Sequence, residues 1–149
     1  MTKATTMPSV ATLQAHALDI AQAFDVRLIE CAALQPHEAF AQTRLRAAFV
    51  GTIVDETTYA VALHEVGHLA APLGVLRALL GEANNMNLSL DEEDAAWQWA
   101  RHYALIWTPV MDAVAKWAEG TYQQAAAKTA APSAPVAPKI DWSKFGKRK

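Results

Sequence analysis

The chain has 149 residues, 52% of them hydrophobic, which suits one ordinary domain with a modest core. A single cysteine, Cys31, excludes a disulfide framework and a four-thiolate metal site, so a metal here must be held by histidine and carboxylate. Residues 1–123 carry seven basic and fourteen acidic side chains, whereas residues 124–149 carry six basic and one acidic. The acidic body argues against a nucleic-acid-binding surface on the folded part.

The first part of the chain alternates between helical and strand patterns. Apolar residues recur at helical spacing over roughly residues 10–24, which predicts an amphipathic helix. Residues 26–30 then alternate like a short strand. Pro36 is suited to the first turn of a second helix that runs through Leu45. Residues 48–54 indicate another strand, interrupted by Gly51.

The middle of the chain contains the helix that carries most of the chemistry. Asp55 is suited to the N-cap of a helix that starts near Glu56 and is stopped by Pro72. Residues 73–80 predict a short helix, and the asparagine-rich residues 84–87 predict a loop.

The last part of the body is helical as well. Ser89 and Glu92 fit a capping box, so a long helix begins there and runs through Ala104. Thr108 is a fresh N-cap before Pro109, and the next helix continues to about Tyr122. The tryptophans of these helices are predicted to fill the core: Trp97, Trp99, Trp107 and Trp117. The body, residues 1–123, is therefore one α+β domain that is mostly helical.

Two segments follow the body. Residues 124–138 are rich in alanine and proline, which predicts a disordered linker. Residues 139–149 form a basic tail with two aromatics, Trp142 and Phe145. Such a tail is suited to an acidic protein surface or to single-stranded nucleic acid, and a disordered solubilising end explains it equally well.

The motif His64-Glu65-Val66-Gly67-His68 has the spacing of a zinc site. Residues four apart share a helix face, so His64 and His68 can direct their imidazoles at one metal ion. Zinc lowers the pKa of a water molecule in its open position, and Glu65 is placed to accept the proton as general base and later deliver it to a leaving amine. Gly67 is expected to leave room beside the metal. A solvated surface helix explains two histidines and a glutamate amid apolar residues poorly.

A catalytic zinc needs a third protein ligand. Gly74 stands where the extended metzincin pattern has a third histidine, which excludes that class. A later helix offers the acidic run 91–94. Glu92 is committed to the capping box at Ser89, so Glu93 is the better candidate and Glu92 the second.

Residues 59–68, followed by Glu93-Asp-Ala-Ala-Trp-Gln-Trp-Ala100, resemble small gluzincin-type peptidases of phages and prophages, distant relatives of the ImmA/IrrE metallopeptidases. The resemblance implies a minimal zincin-like domain, with a small sheet beside the active-site helix and a second helix that supplies the third ligand through Glu93. It also implies a zinc peptidase that acts on peptide or protein substrates.

The chain departs from that family at Trp97, where ImmA/IrrE-like proteins often have a polar residue that can support a ligand histidine. Tyr59 and His102 are the remaining, weak candidates for stabilising an oxyanion, and a structural role explains each of them better. The departure supports an alternative function, a catalytically inert regulator of phage or prophage type that keeps zinc for stability.

No stretch of about 18 uncharged apolar residues occurs, and the segment before Val10 has no apolar run. With the lone cysteine, this predicts a cytoplasmic protein without membrane association.

Overall fold

A computed structural model describes residues 6–72, 74–75 and 90–128. Within them the fold is α+β and mostly helical, with four helices and one small sheet of mixed direction. In chain order the elements are α1 (Val10–Ala23), β1 (Arg27–Glu30), β2 (Ala39–Gln42), β3 (Ala47–Val50), α2 (Glu56–Ala70), α3 (Leu90–Tyr103) and α4 (Pro109–Lys128).

The three strands lie in the order β1-β3-β2, with β1 parallel and β2 antiparallel to β3. The predicted helix from Pro36 through Leu45 is wrong, because this segment contains β2. Phe40 faces Phe49 across the β2–β3 ladder, and their rings stack 4.9 Å apart. Cross-strand pairing with β3, which follows β2 directly after the turn at residues 43–46, overrides the local helical spacing. The strand predicted over residues 48–54 is shorter than expected and ends at Val50.

Local caps define the starts of the first two helices. The Ser9 hydroxyl accepts a hydrogen bond from the N–H of Thr12 at the start of α1 (3.1 Å). At the start of α2, the N–H of Thr58 donates to the Asp55 carboxylate (2.8 Å) and the N–H of Asp55 donates to the Thr58 hydroxyl (3.0 Å). This reciprocal arrangement is a capping box and confirms the predicted N-cap Asp55.

Helix α2 is the centre of the molecule. Twelve of its fifteen residues are buried, so it contacts neighbours all round rather than along one stripe. Arg46, in the β2–β3 turn, links its C-terminal end to that of α1 by donating to the carbonyls of Phe24 (2.9 Å) and Leu69 (3.4 Å). A cation at two helix C-termini also complements their dipoles.

Helix α4, the last element of the described chain, is longer than predicted. The Thr108 hydroxyl accepts from the N–H of Met111 (3.2 Å), which confirms the predicted cap of α4. This helix continues to Lys128, whereas the sequence predicted an end near Tyr122 and a linker from residue 124. The segment after Tyr122 is rich in alanine, a strong helix former, and the first proline of the tail comes only at Pro132.

The tryptophans confirm the predicted core. Trp97 and Trp99 are buried within it, and Trp107 and Trp117 pack against it half-buried. Most of the predicted short helix at 73–80, the loop at 84–87, the cap at Ser89 and all residues after Lys128 lie outside the described residues. In the described part of the chain, no helix combines the length and the apolar character needed to cross a membrane.

Candidate metal centre

Helix α2 presents the two histidines of the motif on one face. The imidazole rings of His64 and His68 are 4.5 Å apart between centroids and inclined at 66°. They lie one helical turn apart, as the spacing of four residues predicts. Both are largely buried, with 2% and 9% of their side chains exposed.

Helix α3 brings a carboxylate against both rings. Glu93 Oε1 lies 2.8 Å from His64 Nε2, and Glu93 Oε2 lies 3.2 Å from His68 Nε2. Only 1% of the Glu93 side chain is exposed. The fold therefore brings Glu93, the first-choice residue from the sequence, to the histidine pair. Glu92, the second choice, is half-buried on the same helix.

Gly67 permits this approach of α3 to α2. A Cβ atom at Gly67 would lie 2.6 Å from the carbonyl oxygen of Ala96 and 3.2 Å from its Cα. The space beside Gly67 is thus filled by the backbone of α3, and the expectation that it leaves room beside a metal is wrong. The residue instead lets the helix that carries Glu93 pack closely.

Glu65 lies on another side of His64. Its Oε1 is 3.5 Å from His64 Nδ1, the ring nitrogen that does not face Glu93. One ligand atom each of His64, Glu65 and His68 falls within 4.8 Å of the others, so Glu65 is also near enough to be considered as a ligand. Glu93 is the better-placed candidate, because its oxygens lie within 3.2 Å of the Nε2 atoms of both histidines. Glu65 is 10% exposed and keeps contact with solvent.

Four buried polar atoms in this cluster lack a hydrogen-bond partner among the described residues: both ring nitrogens of His64 and both carboxylate oxygens of Glu93. Buried polar atoms are normally satisfied, and unsatisfied ones often mark a missing ion or water. Donors about 2.0–2.1 Å from a tetrahedral zinc are about 3.3 Å apart, close to the separations of 2.8 and 3.2 Å found here. Two histidines and a carboxylate in this arrangement could hold a metal ion.

The cluster also contains a buried carboxylate, that of Glu93, and the charges of Glu93 and the neighbouring His64 shift each other's pKa. Burial alone lowers the pKa of His64, but the neighbouring carboxylates of Glu93 and Glu65 outweigh it and raise that pKa to about 10. Burial alone raises the pKa of Glu93, and the two imidazoles outweigh it and hold that pKa well below its ordinary value. The anionic carboxylate thus needs a positive charge beside it, which either a protonated histidine or a bound divalent cation supplies.

Trp97, the position at which the chain departs from the family pattern, also lies against the cluster, in a contact that the sequence did not predict. Its indole stacks on the His64 imidazole, with ring centroids 4.0 Å apart and planes 11° from parallel. The signal was its position four residues after Glu93, which places both residues on one face of α3. At position 97, where the sequence offers no polar partner for a ligand histidine, an aromatic ring contacts His64 instead.

The two suggested oxyanion-stabilising residues lie elsewhere. The Tyr59 hydroxyl accepts from the N–H of Leu105 (2.9 Å) and shares a hydrogen bond with His16 Nδ1 (2.7 Å), so it links α1, α2 and the loop after α3. His102 is exposed, and its ring lies against Tyr103. Both contacts favour structural roles.

No protein-family model matches the chain, and neither a curated protein nor a solved structure shows detectable similarity to it. The resemblance to gluzincin-type peptidases therefore stays a prediction from its two sequence motifs. The local geometry of the histidine and glutamate cluster is the basis for proposing a function.

Proposed function

We propose that the chain is a zinc-dependent peptidase of the gluzincin type. His64, His68 and Glu93 hold the metal, and Glu65 is the general base. The observation that carries the proposal is the convergence of two Nε2 atoms and two carboxylate oxygens in a buried cluster. Of these atoms, His64 Nε2 and both Glu93 oxygens have no hydrogen-bond partner among the described residues.

The proposed chemistry divides between the metal and Glu65. Bound zinc would act as a Lewis acid that polarises the scissile carbonyl and lowers the pKa of a water molecule to about 7. Glu65 accepts a proton from that water and then delivers it to the leaving amine, so that the peptide bond breaks with water added across it. Its partial exposure allows the carboxylate to exchange protons with solvent between cycles.

Metal analysis tests the first part of the proposal. Protein purified without added zinc is expected to retain about one zinc per chain, and His68→Ala is expected to lose it. A wild-type chain that folds normally but takes up no zinc would refute the proposed metal centre.

Glu65→Gln tests the second part, because the amide keeps the shape of the side chain but accepts no proton. We expect hydrolysis of a mixture of quenched fluorescent peptides to fall by about 10²- to 10⁴-fold, with zinc content unchanged. Glu56→Gln is the matched control, since it makes the same chemical change in the first turn of the same helix. Equal activity in wild type and Glu65→Gln would rule out the assigned role.

The depth of burial favours one second candidate, a zinc-stabilised regulator without catalysis. The four side chains of the cluster expose between 1% and 10% of their surface, which is little for a site that must receive a peptide. Under this alternative Glu65→Gln changes nothing measurable, whereas removal of zinc lowers stability and abolishes the regulatory interaction.

A further inference from the structure

The stacking of Trp97 on His64 brings the two ring centroids to 4.0 Å from each other. The two planes are nearly parallel, and both side chains are buried, Trp97 completely. Trp99, two residues along the same helix, is also buried but packs edge-on against Phe24 at 5.2 Å. The face-to-face contact therefore distinguishes Trp97 from an ordinary core tryptophan.

The contact matters because the His64 ring nitrogens have no hydrogen-bond partner among the described residues that would set the ring plane. A metal-binding histidine usually donates its second ring N–H to a carboxylate, carbonyl or water, which sets the ring plane. His64 Nδ1 has no such hydrogen bond among the described residues, and its nearest acidic atom, Glu65 Oε1, is 3.5 Å away. The outer torsion of a histidine side chain is intrinsically broad, so another contact must restrict it.

Helix α3 supplies that restriction together with the carboxylate. Glu93 and Trp97 lie one turn apart, so a single helix face places the carboxylate at His64 Nε2 and the indole on the flat side of the same ring. Rotation of the imidazole about its Cβ–Cγ bond would collide with the indole. Stacking thereby restricts the plane of the ring, and the contact with Glu93 Oε1 places Nε2 on the side of that carboxylate.

We propose that Trp97 is a positioning residue that orients His64 for metal binding by stacking, in place of the usual hydrogen bond. The inference rests on the proposed zinc site and adds Trp97 as a residue on which the affinity of that site for zinc depends. Planarity at position 97 is the required property, whereas the indole N–H is not, since it has no hydrogen-bond partner among the described residues.

Zinc affinity in three variants tests the inference, measured by competition with a chromophoric chelator at fixed pH. Trp97→Met fills much of the volume with a flexible chain that does not stack, and we expect zinc binding to weaken about 10- to 100-fold. Trp97→Phe keeps a flat ring and is expected to bind within about threefold of wild type, the size of difference that context alone produces. Trp99→Met is the matched control and should destabilise the fold without changing zinc affinity by more than Trp97→Phe does.

Two outcomes separate this inference from the proposed function. If wild type binds zinc and folded Trp97→Met binds it as tightly as Trp99→Met, stacking does not position the ligand. If wild type itself binds no zinc, the metal centre is refuted, and the positioning role falls with it.

Proton NMR of the zinc-bound wild-type chain supplies a test that needs no destabilising variant. The ring protons of His64 lie over an indole face and should resonate upfield of those of His68, and Trp97→Phe should reduce the difference. Equal shifts for the two histidines would show that the stack is lost on metal binding and would overturn the inference.

Discussion

Glu93 combines almost complete burial with a negative charge. Taking a carboxylate out of water costs several kcal/mol after relaxation, and this cost is offset only by a close positive charge or by good hydrogen bonds. Its oxygens have no hydrogen bonds among the described residues but lie within 3.2 Å of two imidazole nitrogens. A protonated histidine or a cation shared with both histidines would supply the positive charge.

Replacement of single carboxylates tests the third ligand directly. Glu93→Gln keeps the size of the side chain and removes its charge, so zinc affinity is expected to fall by at least about 100-fold, the upper end of losses for residues that merely support a ligand. Glu92→Gln, the matched control for the competing assignment, should retain zinc. Isothermal titration of both variants distinguishes them, and the reverse order of affinities would move the third ligand to Glu92.

The contact between α2 and α3 places Glu93, and it depends on a close approach of two backbones. Gly67 faces the backbone of Ala96 with no room for a methyl group. Gly120 in α4 has open space around its Cβ position, since no described atom outside the adjacent turns of its own helix backbone and its two chain neighbours lies within 4 Å. The two glycines thus differ in what a side chain would meet, although both lie in helices.

Alanine substitution at these glycines has opposite expected effects. Gly67→Ala should destabilise the metal-free chain by about 1–3 kcal/mol through overpacking and weaken zinc binding, because α3 must shift with Glu93. Gly120→Ala should stabilise the chain by about 0.5–1 kcal/mol, because alanine has the higher helix propensity. Urea unfolding with and without zinc measures both effects. A neutral Gly67→Ala variant would show that the helix contact tolerates a methyl group and does not fix Glu93.

Strand β2 shows where local patterns mislead at the level of elements. Pro36 is well suited to a helix start, and the apolar residues that follow do not exclude a helix. In the fold, Ala39 and Ala41 are half-buried and Phe40 points outwards onto Phe49. This segment is a strand because it pairs with β3. The helical spacing within residues 36–45 carries no information about that pairing.

For the whole molecule, pH is expected to act in opposite directions with and without metal. In the metal-free chain, the raised pKa of His64 gives stability that is full below pH 6.5 and is lost as pH rises towards about 10. The lowered pKa of Glu93 gives stability that is present above pH 4.5 and is lost as pH falls through its folded value. Their pairing therefore contributes most between about pH 4.5 and 6.5. Zinc requires neutral imidazoles, so its stabilisation should increase with pH.

Urea unfolding at pH 5.5 to 8.5, in a chelator and in excess zinc, measures this difference. We expect the chelated chain to lose stability with rising pH and the gain from zinc to grow over the same interval. Glu93→Gln should flatten both trends, because it removes the charge that couples the two groups. Parallel curves with and without zinc would contradict a shared site for protons and metal.

The sequence by itself determined the features that depend on neighbours within about four residues. The shared face of His64 and His68, the cap at Asp55 and the cap at Thr108 follow from helix geometry and from hydrogen bonds one turn away. The preference for Glu93 came partly from the capping pattern at Ser89, which lies outside the described residues, and partly from the resemblance.

Only the tertiary structure decided how α3 lies on α2. That packing places the Glu93 carboxylate at both Nε2 atoms, fills the space beside Gly67 with backbone and stacks Trp97 on His64. None of these contacts is local, because each joins residues from helices separated by a long stretch of chain. Their geometry follows from burying two helices against each other, and spacing within either helix does not specify it.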